Sequence, residues 1–144
     1  MSKTFFVIAL CSLIGVGCEA QSIVGKWHRT ATGSFKIDKA TGKVTPVFTP
    51  AQQKQYDEIT AENGYTEVVT FRSNKTYTSI ASAKGMKPIE RTEKYSLSGN
   101  NLDLNTPLVH NEKTTITIRS IDAATMVWDL VFMDKLTRIT YTRE

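Results

Sequence analysis

The stretch SIVGKW, Ser22 to Trp27, decides how this chain is read. It follows directly on an apolar run and places Gly25 and Trp27 two residues apart at the start of the first strand-like segment. An indole so near the beginning of a domain frays into water unless another segment folds over it. The opposite end of the chain, YTRE (Tyr141 to Glu144), has the alternation of a strand and carries a cation, Arg143. If the two terminal segments pair antiparallel, Arg143 comes to lie over Trp27. Gly25, Trp27 and Arg143 then form a structural plug at one end of a closed sheet, with a cation–π contact across it. The plainer alternative makes Trp27 an ordinary core aromatic without a special partner.

Upstream of this stretch, residues 1–20 read as an export signal. Lys3 is the basic start, Phe5 to Val16 is the apolar stretch, and small residues follow. The apolar run is too short to remain as a membrane-spanning helix. Two cuts compete: one after Ala20, leaving Gln21 first, and a lipoprotein-type cut before Cys18, whose sulfur would carry lipid. The chain thus divides into a signal, 1–20, and a barrel domain, 21–144. It is expected outside the cytoplasm, secreted or periplasmic, or else lipid-anchored to a bacterial membrane. Both cysteines, Cys11 and Cys18, lie in the signal, so no disulfide supports the domain and an apolar core must do so.

The 144 residues suit one domain. Eighteen basic against fourteen acidic residues give a net charge of +4, mild and evenly spread. No basic run is interleaved with aromatics, which argues against nucleic acid as a partner.

Downstream of Gln21 the dominant period is two, rich in Thr, Val, Ile and Tyr. Strands are expected at 23–30, 66–72, 76–82, 89–97, 101–104, 114–121, 125–132 and 136–143. Short turns separate several of them: Ser73-Asn74-Lys75, Ser98-Gly99-Asn100 and Asp122-Ala123-Ala124. One segment breaks the pattern. From Thr49 to Gly64 the chain reads as a helix, with Thr49 as N-cap, Pro50 at the first position and Asn63-Gly64 as the stop. Its apolar stripe is thin, which places it on a surface. Before it, residues 33–48 read as an extra hairpin turning at 39–42. Eight strands in up-and-down order remove their own edges by closing into a barrel. The fold class expected is therefore all-β, an eight-stranded antiparallel barrel with one short helix inserted between its first strands. The longer connections gather at the mouth opposite the plug, with the helix as a candidate lid.

The chain resembles the bacterial lipocalin-like domain family of the calycin group. The resemblance rests on Gly25-Lys26-Trp27, the hairpin Val69 to Thr78, the segment Tyr95 to Leu104 and the closing Tyr141-Thr142-Arg143. It implies an eight-stranded barrel with an internal cavity for a small apolar ligand. The 33–65 insertion and the missing disulfide depart from the family pattern. The insertion resembles the helical lid of the fatty-acid-binding branch.

Alternation gives the inward face: Val69, Phe71, Tyr77, Ser79, Tyr95, Leu97, Leu102, Leu104, Ile116, Ile118, Met126, Trp128, Leu130, Phe132, Ile139 and Tyr141. These residues either fill the barrel or wall a pocket. Arg91 and Glu93 share the parity of Tyr95, so Arg91 could hold a carboxylate, or simply pair with Glu93. The candidate ligand-binding residues are Phe71, Tyr77, Arg91, Tyr95, Trp128 and Tyr141. His28 is expected outward, and His110 sits in a loop without a second metal ligand at binding distance in sequence. No nucleophile elbow, Cys–His pair or phosphate loop is present, and Asp129 is expected on the solvent side. No cofactor, metal or catalytic role is assigned. The function expected is binding of a small hydrophobic or amphipathic molecule by a secreted barrel. The alternative is an anchored lipoprotein or structural module with a filled interior.

Overall fold

The structure is a computed structural model and describes residues 22–105 and 114–144. In chain order its elements are β1 (Gly25–Ile37), β2 (Val44–Pro46), α1 (Pro50–Glu62), β3 (Thr66–Phe71), β4 (Thr76–Ser82), β5 (Ile89–Lys94), β6 (Ser96–Ser98), β7 (Asn101–Asp103), β8 (Thr115–Ile121), β9 (Thr125–Phe132) and β10 (Lys135–Arg143). The two ends of the chain pair as the sequence requires. β1 runs antiparallel to β10 with Trp27 opposite Arg143, and on its other edge it pairs with β3, Trp27 opposite Val69. The full order is β5-β4-β3-β1-β10-β9-β8-β7-β6, with β2 attached to β1.

This is a nearly closed antiparallel barrel. The strand expected at 89–97 is divided: β5 pairs with β4, and β6 pairs with β7. The division falls at Tyr95. Its backbone N–H donates to the Lys75 carbonyl at 2.9 Å, and its phenol donates to the Arg72 carbonyl at 3.0 Å. One continuous piece of chain therefore changes partners around a pinned tyrosine and carries the sheet from one margin to the other.

β1 is longer than expected. A bulge between Arg29 and Ala31 bends it, and its ladder to β3 ends at His28 opposite Val68. Bulges of this kind turn a strand and loosen its pairing. The second half of β1 stays with β10 and forms the expected hairpin with β2. A gap remains between the outer half of β1 and the start of β3.

The helix begins where the cap predicts. Thr49 accepts from the Gln52 N–H, and the Gln52 side chain accepts from the Thr49 N–H, a reciprocal capping box. No residue of α1 is buried. It is tied down by a few contacts: Phe48 stacks on Tyr56 with centroids 5.8 Å apart, and Gln53 Nε2 donates to the Thr32 carbonyl at 3.0 Å.

The core is most of the inner face predicted from alternation, with additions; Leu130 packs against it partly buried, and Phe132, also expected inward, is only partly buried and outside the cluster. Val69, Phe71, Tyr77, Tyr95, Leu102, Leu104, Ile116, Ile118, Met126, Trp128, Ile139 and Tyr141 are buried together with Ile23 and Trp27. Leu97 departs from the expectation and is 38% exposed, because three-residue β6 pairs, among the described residues, only with β7 and leaves it at the sheet margin. Leu136, missed in the sequence, is buried on the outer face opposite Phe35.

At the closed end Trp27 is fully buried, and its Nε1 donates to the Ile23 carbonyl at 2.8 Å. The Arg143 guanidinium carbon lies 4.3 Å from the indole centroid, and Nη2 donates to the Ser22 carbonyl at 2.7 Å. Gly25 has φ +147°, a conformation that L side chains rarely adopt. The glycine is thus required by backbone angle, since a Cβ there would meet only ordinary contacts, the nearest at 3.6 Å.

Candidate functional site

Inside the barrel the bottom and the top are built differently. Above the Trp27 plug, aromatic rings pack face and edge. Phe71 meets Tyr95 edge-on at 5.0 Å, Trp128 edge-on at 5.8 Å and Tyr77 in a stack at 5.9 Å. Trp128 and Tyr141 lie 4.7 Å apart, tilted. Such pairs prefer offset and edge geometries and leave little free space.

Over this floor lies a cavity of about 440 Å³. Val69, Ile116, Leu130 and Ile139 give it apolar walls, with Tyr77, Trp128 and Tyr141 at its base. It reaches Ser79 and Arg91 on one side and Leu104 and Thr114 on the other. That position matches the weakest part of the wall. β5 pairs with β4 alone, and three-residue β7 covers β8 only at its Ile116–Thr117 end. Among the described residues, no ladder joins β5 to β8, so the cavity opens sideways between them.

Four of the six ligand-binding candidates, Tyr77, Arg91, Trp128 and Tyr141, line this cavity. Phe71 and Tyr95 lie beneath it in the floor, with the Tyr95 phenol already committed to the Arg72 carbonyl. Arg91 is half-exposed at the opening, and its Nε is 3.9 Å from Glu93 Oε1, a loose pair that leaves most of its donors free. The indole nitrogen of Trp128 is buried without a hydrogen-bond partner among the described residues.

Alternation alone did not single out Glu67, although it shares the parity of Val69 and Phe71. Its carboxylate lines the cavity and is fully engaged. Arg29 Nη1 donates to Oε2 at 2.7 Å, the Tyr65 phenol to Oε2 at 3.0 Å and the Tyr141 phenol to Oε1 at 3.1 Å. Burial disfavours charge on Arg29, but the hydrogen bond and charge of Glu67 outweigh it and hold its pKa above the usual value. Burial, reinforced by the Glu67 charge, pushes the Tyr141 phenol far above its ordinary pKa, so it remains a donor. This cluster fills the gap between β1 and β3.

The helix is not a lid on the cavity. None of its residues lines it. α1 stands outside the gap, where Tyr56, Asp57 and Thr60 face Arg29 and Tyr65 across a separate cleft of about 280 Å³. Its thin apolar stripe cannot support deeper insertion. His28 points outward and meets Glu144 Oε2 at 3.3 Å. Asp129 is on the outer face as expected and has strong partners there: Arg138 binds it through two nitrogens at 2.7 and 2.9 Å, and Arg119 approaches to 3.5 Å. Cys18 and His110 lie outside the described residues. Among the described residues, no three His, Cys, Asp or Glu side chains gather as metal ligands.

No protein-family model matches the chain, and no curated protein matches it. Among solved structures, it is similar to a Schistosoma mansoni fatty acid binding protein in complex with arachidonic acid. That pair shares 17% identity, with a TM-score of 0.42, over 86% of this chain and 97% of that one. It is also similar to Echinococcus granulosus fatty-acid-binding protein 1, at 10% identity and a TM-score of 0.44, over 84% and 96% of the two chains. A REP1-NXSQ fatty acid transporter is similar at 14% identity and a TM-score of 0.43, over 84% and 95%.

Proposed function

We propose that this protein is an exported carrier that holds a small apolar or amphipathic molecule inside its barrel. The observation that carries the proposal is the cavity of about 440 Å³ above a packed aromatic floor, open sideways between β5 and β8. At roughly 30 Å³ per non-hydrogen atom, the volume share of a liquid water, it suits a ligand of about fifteen such atoms. Burying ten methylenes there would favour binding by about 8 kcal/mol before the costs of association.

The polar groups set an orientation. Glu67 lies on the cavity wall but is neutralised by Arg29, whereas Arg91 stands at the opening with donors to spare. An anionic head group would therefore rest at the opening against Arg91, with the tail over Trp128 and Ile139. The export signal with its cut after Ala20, the absence of catalysis and the lipocalin-like family assignment belong to the same proposal. A second reading, an anchored lipoprotein or structural module, draws on the solidly packed lower half. Metabolic labelling of Cys18 with a lipid precursor would favour it.

Thermal unfolding with added ligands tests the proposal. Medium-chain fatty acids should raise the melting temperature in the micromolar range. Arg91→Gln should weaken the fatty acid by about tenfold while leaving the matching fatty alcohol unchanged. No stabilisation by either ligand would remove the carrier reading.

A further inference from the structure

The two most exposed large apolar side chains among the described residues belong to one tip. Met86 and Ile89 are each 63% exposed and three residues apart in KGMKPI, residues 84–89, which spans the β4–β5 connection and the first residue of β5. Single exposed apolar residues are ordinary, but a pair on one projecting tip calls for a partner. Ile80, at 40%, adds to the same hairpin on its outer face.

The tip has a defined position and shape. Along the inner face of β4 and β5, cross-strand pairs climb from Tyr77–Glu93 through Ser79–Arg91 to Ala81–Ile89. Ile89 thus stands on the rim, one pair above the Arg91 that borders the cavity opening. Gly85 takes φ +77°, and the Met86 N–H closes the turn on the Ala83 carbonyl at 3.1 Å. The base is tied to the helix end by Lys84 N–H donating to the Asn63 carbonyl at 2.8 Å.

Its charge is one-sided. Lys84 and Lys87 flank Met86, and no acidic residue lies between 84 and 89. Among the described residues, neither ammonium group has an ion-pair or hydrogen-bond partner. The first acid after the tip is Glu90, beside Ile80 on the outer face, and Glu93 faces Arg91. Two unpaired lysines around two apolar side chains complement a surface that offers anionic groups above an apolar layer.

We propose that the Lys84–Ile89 tip docks on an anionic lipid bilayer. Met86 and Ile89 enter the boundary between headgroups and acyl chains, and Lys84 and Lys87 meet lipid phosphates. Docking there brings the side opening of the barrel next to the bilayer, so an apolar ligand can pass between them with little exposure to water. The ligand-transfer step rests on the carrier reading, whereas the docking itself does not.

Flotation of the purified full chain with phosphatidylcholine vesicles, with and without phosphatidylglycerol, tests this. Every variant carries the same residues 1–20, and the comparison is made at lipid concentrations where the wild type floats only in part, so that a difference in affinity at the tip stays readable. The wild type should float with the anionic vesicles, less so as salt is raised. Lys84→Gln with Lys87→Gln should weaken that binding by about thirtyfold, and Met86→Ser with Ile89→Ser should also weaken it, with melting temperatures unchanged. Equal flotation of wild type and both double variants would overturn the proposal, as would no flotation of the wild type. Self-association abolished by Met86→Ser with Ile89→Ser, which would assign the tip to a second copy, would overturn it as well. Titration of the same variants with a fluorescent fatty acid in vesicle-free solution keeps the two readings apart. Intact interior binding without flotation sinks only the docking, and flotation without interior binding sinks only the carrier.

Discussion

Trp27 is held from three sides, by the Ile23 carbonyl, the Arg143 guanidinium and the strands on either flank, and each contact has a separable effect. Arg143→Lys keeps the charge but loses the planar stack, and should cost about 0.5–1 kcal/mol in denaturant unfolding. Gly25→Ala should cost about 1–3 kcal/mol through backbone strain alone, without a change in packing. On the outer face, hydrogen bonds from Arg138, helped by its charge and that of Arg119, hold the Asp129 carboxyl below the usual carboxylate range. A depressed folded pKa means that the stabilisation is complete above the unfolded value, about 3.9, and is lost as pH falls through the folded one. Asp129→Asn should therefore lower stability at neutral pH by about 1 kcal/mol, allowing for solvent screening of the arginines. The difference from wild type should close as pH falls below about 4. The Trp27–Arg143 pair was legible because ring closure joins the free edge of the first strand to that of the last. Glu67 was not, because alternation assigns a face but cannot say that a partly buried carboxylate meets Arg29 and two phenols.

Among the elements, α1 and the strands were readable for different reasons. The helix was announced by its cap and its proline, both local signals, and its bounds follow them. Its position was not legible, because a stripe this thin does not say what it leans on. With no buried residue, α1 should open independently of the barrel. Native-state hydrogen exchange should show its amides far less protected than those where β1 pairs with β10. Thr49→Ala should lower helix protection further, by about 1 kcal/mol, while leaving the strands unchanged. The partner change at Tyr95 was hidden for another reason. Residues 89–97 keep one period throughout, and only the hydrogen bonds of Tyr95 to Lys75 and Arg72 divide them.

At the scale of the whole molecule, one barrel joins a solid lower half to a hollow upper half. The sequence supplied the ring and most of its inner face, but inward residues can fill a barrel or wall a pocket, and alternation is the same in both cases. The cavity exists because Ser79 is small, Arg91 stays at the opening, and among the described residues no ladder joins β5 to β8. Replacing Ser79 by Phe should fill that space from the β4 side and leave the plug and floor untouched. The most direct test is titration of wild type and Ser79→Phe with unlabelled undecanoic acid, which is within the size the cavity admits, following tryptophan emission. The account predicts saturable binding of one molecule per chain, with a change in tryptophan emission, abolished in Ser79→Phe while its melting temperature stays near that of wild type. A wild type that does not bind, or a Ser79→Phe variant that binds equally well, would contradict it.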